Sequence, residues 1–98
     1  MTNTGKDRAV TNNKQEQRFE MSLDDSAMAF IRYEEAGEGV LELAHTEVPD
    51  EYEGQGIGST LVRGAFEILQ AENLKIVPTC AFVAAYIRRH PEYQSLVA

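Results

Sequence analysis

Apolar and polar residues alternate along three successive segments of the chain. Residues 18–23 carry apolar side chains at every second position, beginning with Phe19 and Met21, and the pattern resumes in residues 27–34 after an acidic turn. Residues 40–48 follow a second turn that contains two glycines. A period of two is typical of strands, and short turns favour antiparallel neighbours. The pattern therefore predicts three antiparallel strands.

The third of these segments ends close to a histidine. Leu41, Leu43 and His45 are spaced by two residues, so a regular strand places their side chains on one face. Pro49 has no N–H for a strand ladder and ends the segment. We therefore expect His45 near the end of the third strand, on its apolar side.

The second half of the chain predicts two helices separated by a short strand. Apolar residues recur at helical spacing in residues 55–72. Residues 74–77 are too few and too β-branched for a helix, and a crossover helix makes such a strand parallel to the one before it. Residues 80–89 form the second helix, which Pro91 ends. The predicted order is β-β-β-α-β-α, an α/β fold with the fourth strand parallel to the third.

The first sixteen residues are polar, with Ala9 and Val10 as their only apolar pair. Such composition is typical of a disordered terminus. The remaining length suffices for one small core. We predict a disordered tail at 1–16 and a single domain at 17–98.

Charge and composition restrict the possible partners. The 98 residues carry a formal net charge of −7, which disfavours nucleic-acid binding because that affinity comes mainly from lysine and arginine. No apolar run is long enough to span a membrane, and no basic segment followed by an apolar one opens the chain. The sequence therefore predicts a cytoplasmic protein without nucleic-acid or membrane partners.

Cysteine and histidine are too scarce for familiar structural sites. Cys80 is the only cysteine, so no internal disulfide can form, and His45 and His90 are too few for a zinc site. We expect no metal.

Three glycines at alternate positions, Gly54, Gly56 and Gly58, precede the first predicted helix. The first turn of a helix presents unpaired N–H groups and the positive end of the helix dipole, which suits a phosphate. A glycine-rich turn that only starts a helix explains the glycines equally well. The loop lacks the lysine of a Walker motif, and Ser59 occupies the third glycine position of a dinucleotide fingerprint.

Three segments together resemble the minimal, YjdJ-like branch of the GNAT (Gcn5-related) N-acetyltransferase superfamily. They are residues 45–49 (His-Thr-Glu-Val-Pro), the loop and helix start at 54–62 (Gly-Gln-Gly-Ile-Gly-Ser-Thr-Leu-Val), and residues 77–93. The family loop has the pattern Gln/Arg-x-x-Gly-x-Gly/Ala. Here Glu53 takes the place of the glutamine or arginine, and a carboxylate facing a diphosphate would repel it.

The resemblance implies acetyl-CoA as the cofactor and a set of residues that bind it. In such proteins the cofactor's arm lies along the exposed edge of the third strand and its diphosphate lies on the loop. The implied cofactor-binding residues are His45, Thr46, Val48, Gly54, Gln55, Gly56, Ile57, Gly58 and Ser59.

The transfer of an acetyl group to an amine needs a base and an acid. His45 is the first candidate for the base, assisted or replaced by Glu47 through a water, because its reference pKa lies near neutrality. A packed strand histidine is the alternative. Cys80 is a candidate nucleophile or a candidate acid for the departing thiol, and it also fits a small core residue.

The predicted function is therefore the transfer of an acetyl group from acetyl-CoA to an unidentified primary amine, carried by a small molecule or a protein. A CoA-binding module without catalysis is the alternative, and a phospho-ligand domain unrelated to CoA is a third. Both monomer and homodimer remain open.

Overall fold

Five strands form one sheet, in which they follow the order of the chain. The computed structural model describes residues 8–98. Neighbouring strands pair antiparallel from the first to the fourth, and the fifth pairs parallel to the fourth. The strands are β1 (Val10–Asn13), β2 (Arg18–Ser22), β3 (Met28–Glu35), β4 (Val40–Glu47) and β5 (Lys75–Pro78).

Two α-helices cover one face of this sheet, α1 (Ile57–Ala71) and α2 (Ala81–Arg89). The helix α1 contacts β1, β2 and β3, whereas α2 contacts β4 and β5. The rings of Phe66 and Tyr86, whose centroids are 5.8 Å apart, join the two helices in the core. Short 3₁₀ helices occupy Asp50–Tyr52 and Pro91–Leu96. The predicted α/β fold, with its parallel fourth strand, is confirmed, although it contains one more strand than predicted.

The additional strand corrects the prediction that residues 1–16 are disordered. Within that range β1 pairs with β2, while residues 1–7 lie outside the described residues. Val10 packs on Gly64 of α1, and Asn12 accepts a hydrogen bond of 2.6 Å from the Tyr33 hydroxyl. These partners are distant in sequence, so a local count of polar residues could not reveal them.

A β-bulge in β4 corrects the predicted orientation of His45. Arg32 pairs with His45, but the adjacent Tyr33 pairs with Leu43, so Ala44 is an extra residue in β4. Paired residues share a face of the sheet, and Arg32 is exposed whereas Tyr33 is buried. His45 therefore lies on the open face, opposite Leu43, because the bulge interrupts regular alternation.

Within residues 8–98, neither α-helix combines the length and the apolar character needed to cross a bilayer. The same residues contain no group of three or more histidine, cysteine or carboxylate side chains arranged to hold a metal ion.

Candidate functional site

The strands β4 and β5 separate after a short stretch of pairing. Leu43 and Pro78 are their last partners, and β4 continues for four residues beyond that point. The chain after β5 turns into α2, and the Cys80 N–H donates a 2.9 Å hydrogen bond to the Leu43 carbonyl. A cleft therefore opens between the end of β4 and the starts of the two helices.

A cavity of about 560 Å³ occupies this cleft. Its volume is typical of a small-molecule site. It is bounded by the end of β4, the loop before α1, and a single ring from α2. The lining residues are His45, Thr46, Glu47, Val48, Asp50, Tyr52, Glu53, Gly54, Gly56, Ile57, Gly58, Ser59 and Phe82.

The loop before α1 lines the cavity, and the described residues provide no acceptor for most of its backbone N–H groups. Gly54 and Gly56 adopt φ of 82° and 75°, a left-handed conformation that glycine adopts without strain. The first backbone bond at this end of α1 runs from the Thr60 N–H to the Gly56 carbonyl. Among the described residues, the N–H groups of 54–59 have no recorded backbone or side-chain acceptor. They are therefore available to an anion.

A single aromatic ring closes the cavity opposite the loop. Phe82, in the first turn of α2, is 39% exposed, and its ring lies against the backbone of Gly58. A Cβ atom on Gly58 would be only 2.7 Å from Phe82 Cζ. The absence of a side chain at Gly58 thus allows the two helix starts to approach each other.

His45 and Glu47 form a pair on the open face of the sheet. The Nε2 atom of His45 lies 3.0 Å from a carboxylate oxygen of Glu47, and both side chains are more than half exposed. The ring of Phe30 lies edge-on to the imidazole, with centroids 6.4 Å apart. A carboxylate in this position can orient the imidazole ring.

Cys80 lies on the other side of β4, at the start of α2. Its Sγ atom is 3.3 Å from the Thr46 hydroxyl. Burial raises the pKa of the thiol, but hydrogen bonds from the Thr46 hydroxyl and from the backbone N–H groups of Val83, Phe82 and Thr46 outweigh it. The pKa of Cys80 therefore lies below its ordinary value, as expected of a thiol at a helix amino terminus.

The cavity brings together most of the residues predicted from the sequence. Of the predicted cofactor-binding residues only Gln55 is not in the lining, and its side chain instead approaches the Glu51 carbonyl at 3.5 Å. Of the three candidate catalytic residues, His45 and Glu47 line the cavity, whereas Cys80 adjoins it through Thr46.

Sequence reasoning missed Asp50, Tyr52 and Phe82 as lining residues. Tyr52 belongs to a short 3₁₀ helix with no periodic signal, and Phe82 has the spacing of a core residue in α2. The only indication in the sequence that a bulky group approaches the loop is the glycine at position 58.

The charge of the lining is unusual for an anion site. Glu47, Asp50 and Glu53 contribute carboxylates, and no lysine or arginine of residues 8–98 belongs to the lining. Any phosphate bound here must therefore be held mainly by backbone N–H groups and by the α1 dipole.

Comparisons with known proteins match almost the whole described chain. Residues 18–96 match the family model described as GCN5-related N-acetyl-transferase. Protein NATD1 from Mus musculus is 34% identical over 88 residues, which span 89% of this chain and 80% of the mouse protein. Protein NATD1 from Homo sapiens is 38% identical over 68 residues, 69% of this chain but only 60% of the human protein.

A solved structure also matches the fold. It is the NMR structure of a GCN5-like protein from Staphylococcus aureus, with a TM-score of 0.70 and 28% identity, and the match covers 95% of this chain and 90% of that one.

Proposed function

Because this chain belongs to the GCN5-related N-acetyltransferase family, we propose that it transfers an acetyl group from acetyl-CoA to a primary amine. One structural observation supports this proposal in addition to family membership. The cavity joins the backbone N–H groups of 54–59, for which residues 8–98 provide no acceptor, to the strand edge at 45–48 beside a thiol of lowered pKa.

The residues around the cavity fit an acyl-CoA in two respects. The N–H groups at the start of α1 suit a diphosphate, and Gly54 and Gly56 leave the backbone open to it. In the part of the chain that the structure describes, the edge of β4 beyond Leu43 has no strand partner on the β5 side, so it can pair with an extended amide-bearing arm. We assign contacts with the donor to His45, Thr46, Val48, Gly54, Gly56, Ile57, Gly58 and Ser59, together with the backbone of Gln55.

The donor supplies an activated acetyl thioester, and the protein supplies groups that move protons. His45 accepts a proton from the attacking amine, and Glu47, 3.0 Å from the imidazole, orients the ring. Cys80 protonates the departing sulfur or acts as the nucleophile. In the nucleophilic route its sulfur takes the acetyl group and its proton passes to the departing thiol. The amine then takes the acetyl group and returns a proton to Cys80.

A turnover assay with matched variants tests this function. Purified protein is incubated with acetyl-CoA and a mixture of polyamines and lysine peptides, and the release of free thiol is followed. We expect amine-dependent release that falls by about 100-fold or more in His45→Gln. His90→Gln is the matched control, because His90 lies at the end of α2, stacked on Tyr86. Release that does not depend on the amine, or is unaffected by His45→Gln, would contradict the proposed base.

Mass spectrometry separates the two routes for Cys80. An acetyl group on Cys80 after exposure to acetyl-CoA, chased by added amine, supports the nucleophilic route. Direct transfer predicts an unmodified thiol with turnover intact, and Cys80→Ala then retains part of the activity.

One observation favours a second function, the binding of CoA without catalysis. The Ala44 bulge places His45 on the open face, whereas Thr46 and Cys80 lie on the helix side, and no hydrogen bond joins His45 to Cys80 among the described residues. Such a module would show a thermal shift with acetyl-CoA and no amine-dependent release of thiol.

A further inference from the structure

Within residues 8–98, the loop between β4 and α1 forms few hydrogen bonds with the rest of the protein. Its backbone bonds are local, with the Tyr52 N–H donating to the Pro49 carbonyl at 2.9 Å and the Glu53 N–H donating to the Asp50 carbonyl at 3.1 Å. The two glycines of left-handed conformation that follow add backbone freedom. A loop of this kind loses conformational entropy when it closes on a ligand.

One side chain connects this loop to a distant part of the fold. The Tyr52 hydroxyl donates a 2.5 Å hydrogen bond to Asp24 Oδ2, in the turn between β2 and β3. The other carboxylate oxygen, Oδ1, accepts a 2.8 Å hydrogen bond from the Ser26 N–H, so the carboxylate is held on both sides. Among the described residues, this is the one hydrogen bond that joins residues 49–56 to a remote segment.

The Tyr52 ring is itself part of the cavity wall. It packs against the core while remaining partly exposed, and it lines the cavity beside Glu53 and Gly54. The Arg8 guanidinium lies over the ring, 5.6 Å from its centroid. The ring is thus held by the core, by a cation and by the Asp24 carboxylate, directly before the glycines of the loop.

We propose that Asp24 and Tyr52 are positioning residues for the donor site, and that their hydrogen bond holds the loop at 53–59 in the shape that receives the diphosphate. The inference rests on the proposed function, since it assigns a role to these residues in binding acetyl-CoA. Neither residue touches the reacting atoms. Their contribution is to order the loop before the ligand arrives, which removes part of the entropic cost of binding.

Calorimetric titration of variants with acetyl-CoA tests the proposal. We expect Tyr52→Phe to raise the dissociation constant about three- to tenfold, the range for a hydrogen bond to a charged group that is partly exposed. Tyr33→Phe is the matched control. It also removes a phenolic donor, whose 2.6 Å bond to Asn12 lies away from the cavity, so it should change stability without changing the dissociation constant by more than about twofold.

A thermodynamic cycle isolates the bond between the two residues. Asp24→Ala also removes the turn contact with Ser26, but that loss cancels in the comparison of the single variants with the double variant. We expect the double variant to bind acetyl-CoA no more weakly than the weaker single variant. Fully additive losses would overturn the claim that the two side chains act as a unit.

Hydrogen exchange of the ligand-free protein gives a second readout. The amides of Tyr52 and Glu53, which donate to the Pro49 and Asp50 carbonyls, should exchange faster in Tyr52→Phe and at the wild-type rate in Tyr33→Phe. If the wild-type protein binds acetyl-CoA and Tyr52→Phe binds it equally well, the positioning role is wrong and the proposed function survives. If the wild-type protein does not bind acetyl-CoA, both are wrong.

Discussion

The ring of Phe82 fills the space in which a side chain at Gly58 would lie, with its Cζ atom 2.7 Å from the position of the missing Cβ. This contact joins the first turns of α1 and α2. It also sets the width of the cavity between the proposed phosphate site and Cys80, because both helices begin at that point.

Gly58→Ala should weaken acetyl-CoA binding more than it weakens the fold. The added methyl group displaces the far end of an exposed ring, which moves at little cost to stability but narrows the cavity. We expect a rise of about tenfold in the dissociation constant measured by calorimetry, about 1.4 kcal/mol. Adding Phe82→Leu should restore affinity. A double variant as weak as Gly58→Ala would contradict this account.

Gly64→Ala should instead destabilise the protein. A Cβ at this position would lie 2.4 Å from Val10 Cγ2 and 2.8 Å from Val10 Cβ, and Val10 belongs to the paired strand β1. Overpacking of this kind costs about 1–3 kcal/mol, measurable by urea unfolding. Gly64→Ala combined with Val10→Ala should recover part of the loss. Equal losses in the single and double variants would show that the clash with Val10 is not the cause.

Glu53→Arg should tighten acetyl-CoA binding. Glu53 lines the cavity and directly precedes the glycines of the loop proposed to hold a diphosphate. Reversing its charge replaces repulsion by attraction, and the gain should shrink as salt screens it. Glu38→Arg, in the turn between β3 and β4, makes the same charge change away from this cavity and is the control. Equal affinities of wild type and Glu53→Arg at low salt would place Glu53 away from the phosphates.

Thr46→Val should raise the pKa of Cys80. The Thr46 hydroxyl lies 3.3 Å from the sulfur and is the first among the hydrogen bonds that lower this pKa. The rate of Cys80 alkylation against pH should have its midpoint below the ordinary pKa of a cysteine thiol in wild type, and the midpoint should move to higher pH in Thr46→Val. Thr79→Val, which removes the bond to Glu42 instead, should leave the midpoint in place. Identical profiles for Thr46→Val and wild type would contradict the assignment.

The sequence predicted those strands and helices in which apolar residues recur with a regular spacing. Phe19 and Met21 alternate in β2 and are fully buried, and the apolar residues of α1 recur at helical spacing. It did not predict β1, because Val10 is stabilised by Gly64, more than fifty residues away. Regular alternation also gave the wrong face for His45, since no residue type identifies Ala44 as an insertion.

The composition of the candidate site was predictable only in part. Glycines marked the loop because their backbone conformation depends on residue type. The contributions of Tyr52 and Phe82 depend on how separate elements meet, which a local pattern does not encode.

The Ala44 insertion means that the geometry at the end of β4 depends on the number of residues in the strand as well as on their identity. Removal of this one alanine, with every other side chain kept, would return β4 to regular pleating. The imidazole would stay on the open face and the threonine hydroxyl on the helix side, because the residue after Leu43 faces away from the helices in a regular strand. The deletion would instead remove the bend and the extra twist that a bulge adds, and so change the direction in which the last residues of β4 leave the sheet.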